Sequence, residues 1–184
     1  MIQPIYLYGS DVLRKVAAPA DLAQQEELTR LVADLWDTLK ESEGCGLAAP
    51  QIGVSLRVLV VDGDIMSDVY PYLKGFRRTM INPEVIAESP RKSEFSEGCL
   101  SVPGIYCDVT RPAEITLRYY NEKFEPVEET LDKFACRMVQ HEMSHLDGTL
   151  FVDLVAPIRK KMIGKKLLNI AHGKVSTHYK SKLK

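Results

Sequence analysis

The sequence predicts an α+β fold, in which mixed, largely antiparallel sheets pack around a helix near residue 140 and a further helix lies toward the C-terminus. Three observations lead there. Apolar residues recur at helical spacing in three stretches. Between them lie β-branched or alternating runs of strand length. The two kinds of stretch fall in blocks, with two helices last, which suits helices packed against antiparallel sheet. A chain of 184 residues, 45% hydrophobic and 27% charged, is of single-domain size and can bury a core without disulfides. The expected division is one domain over 1–170 and a basic tail over 171–184.

From Gln24 to Glu43 the residues Leu28, Leu31, Val32, Leu35, Trp36 and Leu39 form one apolar stripe, an amphipathic helix with Trp36 in the core. Gly44-Cys45-Gly46 then reverses the chain. Arg57–Asp62, RVLVVD, reads as a buried strand and Asp62-Gly63-Asp64 as a turn, with loop from Ile65 to Arg78. Thr79–Glu88 returns to strand composition, interrupted at Asn82-Pro83. Glu114–Tyr120 alternates as a half-buried strand does, Asn121-Glu122-Lys123 turns the chain, and Phe124–Glu129 is its partner. From Leu131 to Leu146 the period becomes helical, with Leu131, Phe134, Ala135, Met138, Glu142 and His145 on one stripe and His141 at its margin. The last helix runs from Pro157 to Ala171 through Ile158, Met162, Ile163, Leu167 and Ile170, with proline in its first turn.

Several classes are excluded. No apolar run approaches the roughly 18–20 residues of a membrane span. The start, Met1-Ile2-Gln3-Pro4-Ile5-Tyr6, lacks the features of an export signal, so a reducing cytoplasm is expected. There Cys45, Cys99, Cys107 and Cys136 stay free, and one with a role serves as ligand or nucleophile. Cys107 and Cys136 read as small buried hydrophobes. Charge is asymmetric, because no acidic residue follows Asp153 whereas nine of the 24 basic residues stand at or after Arg159. That end is either a solvated tail or an arm for a polyanion such as RNA.

The sharpest motif is His141-Glu142-Met143-Ser144-His145 on the predicted helix. Residues four apart share a helix face about 6 Å apart, so two imidazoles can hold one metal ion while the intervening carboxylate takes a proton from an activated water. This makes the stretch a central HExxH metal-binding helix. One peptidase class would add a third His ten positions after the first, where this chain has Phe151. Another would add a downstream Glu, and none follows Glu142. His172 and His178 lie in the basic tail, and no His precedes His141, so an upstream cysteine or carboxylate must serve. Cys99, in the turn-rich Glu97-Gly98-Cys99-Leu100-Ser101-Val102-Pro103-Gly104, is the best candidate. A thiolate and two imidazoles leave a fourth position open and admit Fe(II) as well as Zn(II).

Three segments resemble the peptide deformylase family: Gly44-Cys45-Gly46-Leu47-Ala48-Ala49-Pro50-Gln51, Glu97-Gly98-Cys99-Leu100-Ser101, and Gln140-His141-Glu142-Met143-Ser144-His145-Leu146-Asp147-Gly148. They stand in the family's order and spacing, and the resemblance runs from about residue 10 to 170. The chain departs at Ser144, where the family usually has Asp; serine can hydrogen-bond but brings no charge. The resemblance implies removal of the formyl group from the N-terminal formylmethionine of new polypeptides. It implies one divalent metal, Fe(II) by preference and Zn(II) or Ni(II) in preparations, held by Cys99, His141 and His145. Glu142 would be the acid–base group, and Gln51 and the Leu100 N–H the oxyanion donors. Gly46, Cys45, Phe134 and Met138 would contact the substrate, with Glu97 beside them paired to Arg111. The C-terminal helix and tail would meet the ribosome. No membrane or DNA partner is expected. The rival readings are a zinc-dependent endopeptidase and a non-catalytic metal- or RNA-binding module. Glu142 argues against the second, since a closed metal site needs no spare carboxylate.

Overall fold

The computed structural model describes all 184 residues. Its strands in order are β1 (Ile5–Tyr6), β2 (Gly46–Ala48), β3 (Val58–Asp62), β4 (Arg77–Glu88), β5 (Lys92–Cys99), β6 (Val102–Pro112), β7 (Glu114–Tyr120), β8 (Pro126–Asp132) and β9 (Ser181–Lys182). Its helices are α1 (Gln25–Ser42), α2 (Lys133–Leu146) and α3 (Pro157–Ala171). This is a mixed α+β fold. The main sheet is antiparallel in the order β2-β3-β4-β7-β8; β5 and β6 form a separate antiparallel hairpin, and β1 pairs β9 in parallel.

The alternation of β3 sorts the layers. Val58 and Val60 point into a core shared with Leu28, Leu35 and Leu39 of α1, whereas Leu59 and Val61 point into one shared with Met138, Val139 and Leu146 of α2. At β3 the sheet therefore lies between the two helices, buried on both faces, which is why this strand reads as an unbroken apolar run. A third core joins Ile105, Cys107 and Val109 of β6 to Ile163, Leu167 and Ile170 of α3.

Four expectations change. Trp36 is half-buried rather than core: its indole N–H donates to Thr79 Oγ1 at 3.0 Å and the Arg77 guanidinium lies over its ring. The residue that ends α1 is Glu43, left-handed at φ +54°, while Gly44 is needed for contact, since a Cβ there would meet Leu100 Cδ1 at 2.7 Å. Leu131 and Asp132 complete β8, and α2 starts after them. On α3, Ile158 and Met162 face solvent while Ile163, Leu167 and Ile170 pack inward.

The hairpin of β5 and β6 was not foreseen, because glycine, proline and charge obscure its apolar pattern. Alternation is nonetheless present in β6, where Ile105, Cys107, Val109 and Arg111 are buried and Tyr106, Asp108 and Thr110 exposed. The C-terminal residues, read as a solvated end or an arm, instead fold back: Ile5 N–H donates to Lys180 O at 2.9 Å and Leu7 N–H to Lys182 O at 3.0 Å.

The break at Asn82-Pro83 is a tether. Asn82 sits at φ +52° where the β4–β7 register shifts. Its Oδ1 accepts from Ala20 N–H at 2.7 Å and its Nδ2 donates to Ala20 O at 2.9 Å. Asn82→Ala loses both bonds and places a Cβ with no local partner in a left-handed conformation, so stability should fall by about 1–3 kcal/mol. Asn82→Gly should fall less, because glycine tolerates the backbone angle. Urea midpoints for the two variants check that order.

Candidate active site

Helix α2 carries His141, Glu142 and His145 inward, leaving them 9%, 4% and 1% exposed. Cys99 ends β5 at a register shift against β6, where the hairpin turns toward this helix. Its Sγ lies 3.3 Å from His145 Nε2. One donor atom each from Cys99, His141 and His145 falls within 4.8 Å of the others, and no further His, Cys, Asp or Glu joins the group.

These residues fit a metal ion. His141 Nδ1 is committed to Glu97 Oε1 at 2.8 Å, which turns the other ring nitrogen toward the cluster. His145 Nδ1 and Glu142 Oε2 are buried without any partner, and buried polar atoms seldom stay so. A thiolate and two imidazoles are the donor types of a site with an open fourth position. Burial pushes Glu142 up to about 7 against the opposing pull of His141, suiting a group that both takes and gives a proton near neutrality. Burial works against a charge on His141, but the acceptors Cys99 and Glu97 outweigh it and draw a proton there, to about 10, which a cation must displace. Burial, reinforced by His141 and Arg111, drives His145 well below its ordinary value, so it is neutral and ready to ligate.

Glu97 holds the arrangement together. Besides His141 it accepts from Arg111 Nε at 2.8 Å and Nη2 at 2.9 Å, and from Arg137 Nη1 at 2.7 Å. Burial alone would raise its pKa; the bonds from His141 and Arg111 win and hold it well below the carboxylate range. Arg111 also donates to Ser144 Oγ at 2.8 Å, and that hydroxyl donates to Gln140 O at 3.0 Å. Ser144 thus supplies an acceptor to Arg111 without a charge. Arg137, which the sequence reading passed over, is 2% exposed and also donates to Val109 O at 2.9 Å and Ser93 O at 2.7 Å. Its signal was a lone charged residue in the apolar run between Ala135 and Val139.

Gln51 is 1% exposed. Its Oε1 accepts from Ala48 N–H at 2.9 Å, and its Nε2 donates to Ser101 Oγ at 3.1 Å and lies 3.6 Å from Cys99 Sγ. The Leu100 N–H has no acceptor within the chain. Gly46 abuts α2: a Cβ there would lie 2.9 Å from Glu142 Cγ and collide with the carboxylate. Around these groups opens a cleft of about 540 Å³ that takes in Cys45, Phe134, Met138 and the tail residues Ser176–Tyr179. Phe134 stacks on Tyr70 at 4.9 Å between ring centroids. Burial pushes the Cys45 thiol up to about 12, which leaves it a neutral wall rather than a nucleophile. The cleft therefore joins a three-donor cluster, a buried carboxylate, convergent amide donors and an apolar recess, as hydrolysis of an amide at the end of an extended peptide requires.

The family model described as polypeptide deformylase matches residues 2–161. The chain belongs to the polypeptide deformylase family. It is 43% identical over 171 residues to a curated peptide deformylase of Fusobacterium nucleatum, covering 92% of this chain and 93% of that one. It is 37% identical to a solved peptide deformylase of Legionella pneumophila, with a TM-score of 0.82 over 95% of this chain and 98% of that one. A peptide deformylase structure from Plasmodium falciparum superimposes with a TM-score of 0.83 at 32% identity, covering 92% and 95% of the two chains. Deformylases are metal-dependent hydrolases that remove the N-terminal formyl group from nascent polypeptides, and this chain has that activity.

Glu97 is the sole carboxylate that Arg111 and Arg137 meet. Glu97→Gln leaves two guanidiniums buried without a counter-charge, so unfolding free energy should drop by about 3–5 kcal/mol. Loss of the bond behind His141 should also weaken metal retention about 10–100-fold. Urea titration and metal analysis after dialysis against a chelator check both.

Proposed function

We propose that Cys99, His141 and His145 hold one divalent metal ion and that Glu142 is the acid–base residue of a deformylation centred on it. The observation that carries this is the convergence of one thiol and two imidazoles beside a buried carboxylate with an unpartnered oxygen. Fe(II) is the physiological ion in this reading, with Zn(II) or Ni(II) able to replace it, because a thiolate with two imidazoles suits all three. Bound there, the ion supplies Lewis-acid polarisation and lowers the pKa of water to roughly 7.

The chain's own groups do the rest. Glu142 takes the proton of the attacking water and passes it to the departing amine. The Gln51 side-chain amide and the Leu100 N–H donate to the oxyanion that forms as the formyl carbon becomes tetrahedral. The Gly46 backbone pairs with the extended peptide. Cys45, Phe134 and Met138 receive the methionine side chain, and Glu97 borders that pocket while orienting His141.

The exposed face of α3 presents Arg159, Lys160, Lys161, Lys165 and Lys166 around the uncovered Ile158 and Met162. We assign this face to a salt-sensitive contact with the ribosome, where formylated chains emerge. A bacterial cytoplasm suits four free thiols and a formylated substrate. In this reading 1–170 is the catalytic domain and 171–184 a basic C-terminal tail, which folds back onto it.

Incubation with formyl-Met-Ala should release amine, whereas an N-acetylated, unformylated peptide should yield none. Glu142→Gln should keep the fold and bound metal while turnover falls by about 10²–10⁴; retained turnover would mean another base operates. Replacing Lys160, Lys161, Lys165 and Lys166 together with glutamate should abolish co-sedimentation with ribosomes at low salt and leave formyl-Met-Ala hydrolysis within about two-fold, since screened surface charges add little to stability.

A further inference from the structure

The family match ends at residue 161, and the chain beyond it returns to the cleft. After α3 the backbone turns at Gly173, φ +70°, and Ser181–Lys182 add β9 beside β1. Leu183 and Val175 pack onto the core shared by β6 and α3, and Lys182 Nζ lies 4.3 Å above the Tyr6 ring. Between the turn and the strand, Ser176–Tyr179 pass along the cleft that also contains Cys99 and Glu142. There the Tyr179 hydroxyl donates to Leu100 O at 2.6 Å.

That carbonyl belongs to the peptide whose N–H, on Ser101, points at Cys99 Sγ at 3.4 Å. The same turn is held on its other sides: Tyr8 N–H donates to Ser101 O at 2.7 Å, and Gln51 Nε2 to Ser101 Oγ at 3.1 Å. A donor on a carbonyl polarises its peptide and strengthens the opposite N–H as a donor. A hydrogen bond to a ligand atom tunes how strongly that atom donates to a metal. Both effects run from the tail to the thiol through one rigid peptide plane. The ring of Tyr179 packs half-buried beside the α1 core, so the hydroxyl is delivered by a supported side chain.

We propose that Tyr179 is a positioning residue for deformylation: from the C-terminal segment it fixes the Leu100–Ser101 peptide so that the Ser101 N–H tunes the Cys99 sulfur. This rests on the reading of Cys99 as a metal ligand.

The test uses the full chain loaded with Co(II), whose thiolate charge-transfer absorption reports the sulfur directly. Tyr179→Phe keeps the ring and loses the donor. The expected result is a shifted absorption band, with kcat for formyl-Met-Ala lower by about five-fold, the factor an ordinary hydrogen bond supports. KM and the thermal midpoint should stay close to the parent's. Site-specific 3-fluorotyrosine at position 179, a stronger donor of nearly the same shape, should move the band the opposite way. An unchanged band and kcat in both proteins would overturn the proposal, as would a kcat loss that merely tracks a lowered thermal midpoint with the band in place. Failure of the ligand reading looks different: the parent protein itself would then show no thiolate band, or Cys99→Ser would keep it.

Discussion

Glu97 places one negative charge among two guanidiniums and an imidazole, all of them buried. Its donors come from two elements, Arg111 from β6 and His141 and Arg137 from α2. The carboxylate itself stands on β5, two residues before Cys99. Binding these groups therefore fixes the hairpin to the helix at the one height where the thiol meets both histidines. A buried charge left without partners costs several kcal/mol, so no alternative packing of hairpin on helix is available unless it satisfies all three donors. The chemistry of the cleft depends on that constraint, because the thiol and the imidazoles come from separate parts of the chain.

The cluster is not electrically balanced within itself. Two arginines face one carboxylate, and Ser144 gives Arg111 an oxygen without a charge. Backbone carbonyls of Ser93, Val109 and Gln140 accept further bonds from the two guanidiniums, and Arg137 Nε alone stays buried without a partner. Neutral dipoles thus do part of the work of an anion, while the two guanidiniums and one carboxylate leave a net positive charge beside the cleft. Close packing adds a second constraint, for Gly46 touches the Glu142 side chain and Gly44 that of Leu100, so neither position has room for a Cβ. The glycines around Cys45 set how near the first loop comes to the reacting groups.

Much of the architecture was legible because it is local. The stripe of α1, the apolar run of β3, the alternation of β7 and the proline-led α3 each report their own surroundings through a period of 3.6 or 2. The β5–β6 hairpin was obscured because its inward positions include Glu97 and Arg111, charged residues that satisfy one another only across strands and helix. Ile158 and Met162 misled in the opposite direction, being apolar by type but left exposed, and Trp36 is only half-covered, by Arg77 and Thr79 of β4.

By itself the sequence determined the helix that lines up His141, Glu142 and His145, pointed to Cys99 as the residue to join them, and held the three segments that mark the family. These follow from spacing along one helix and from counting donor types, and neither requires knowledge of distant contacts. Only the tertiary structure decided that Arg137 shares the charge of Glu97, that Gly46 must be bare because Glu142 lies against it, and that the basic C-terminus folds back to place Tyr179 on Leu100. Each of those joins residues dozens of positions apart in the chain. Such pairs leave no periodic trace, because long-range contacts are set by how layers stack rather than by the repeat of any one element.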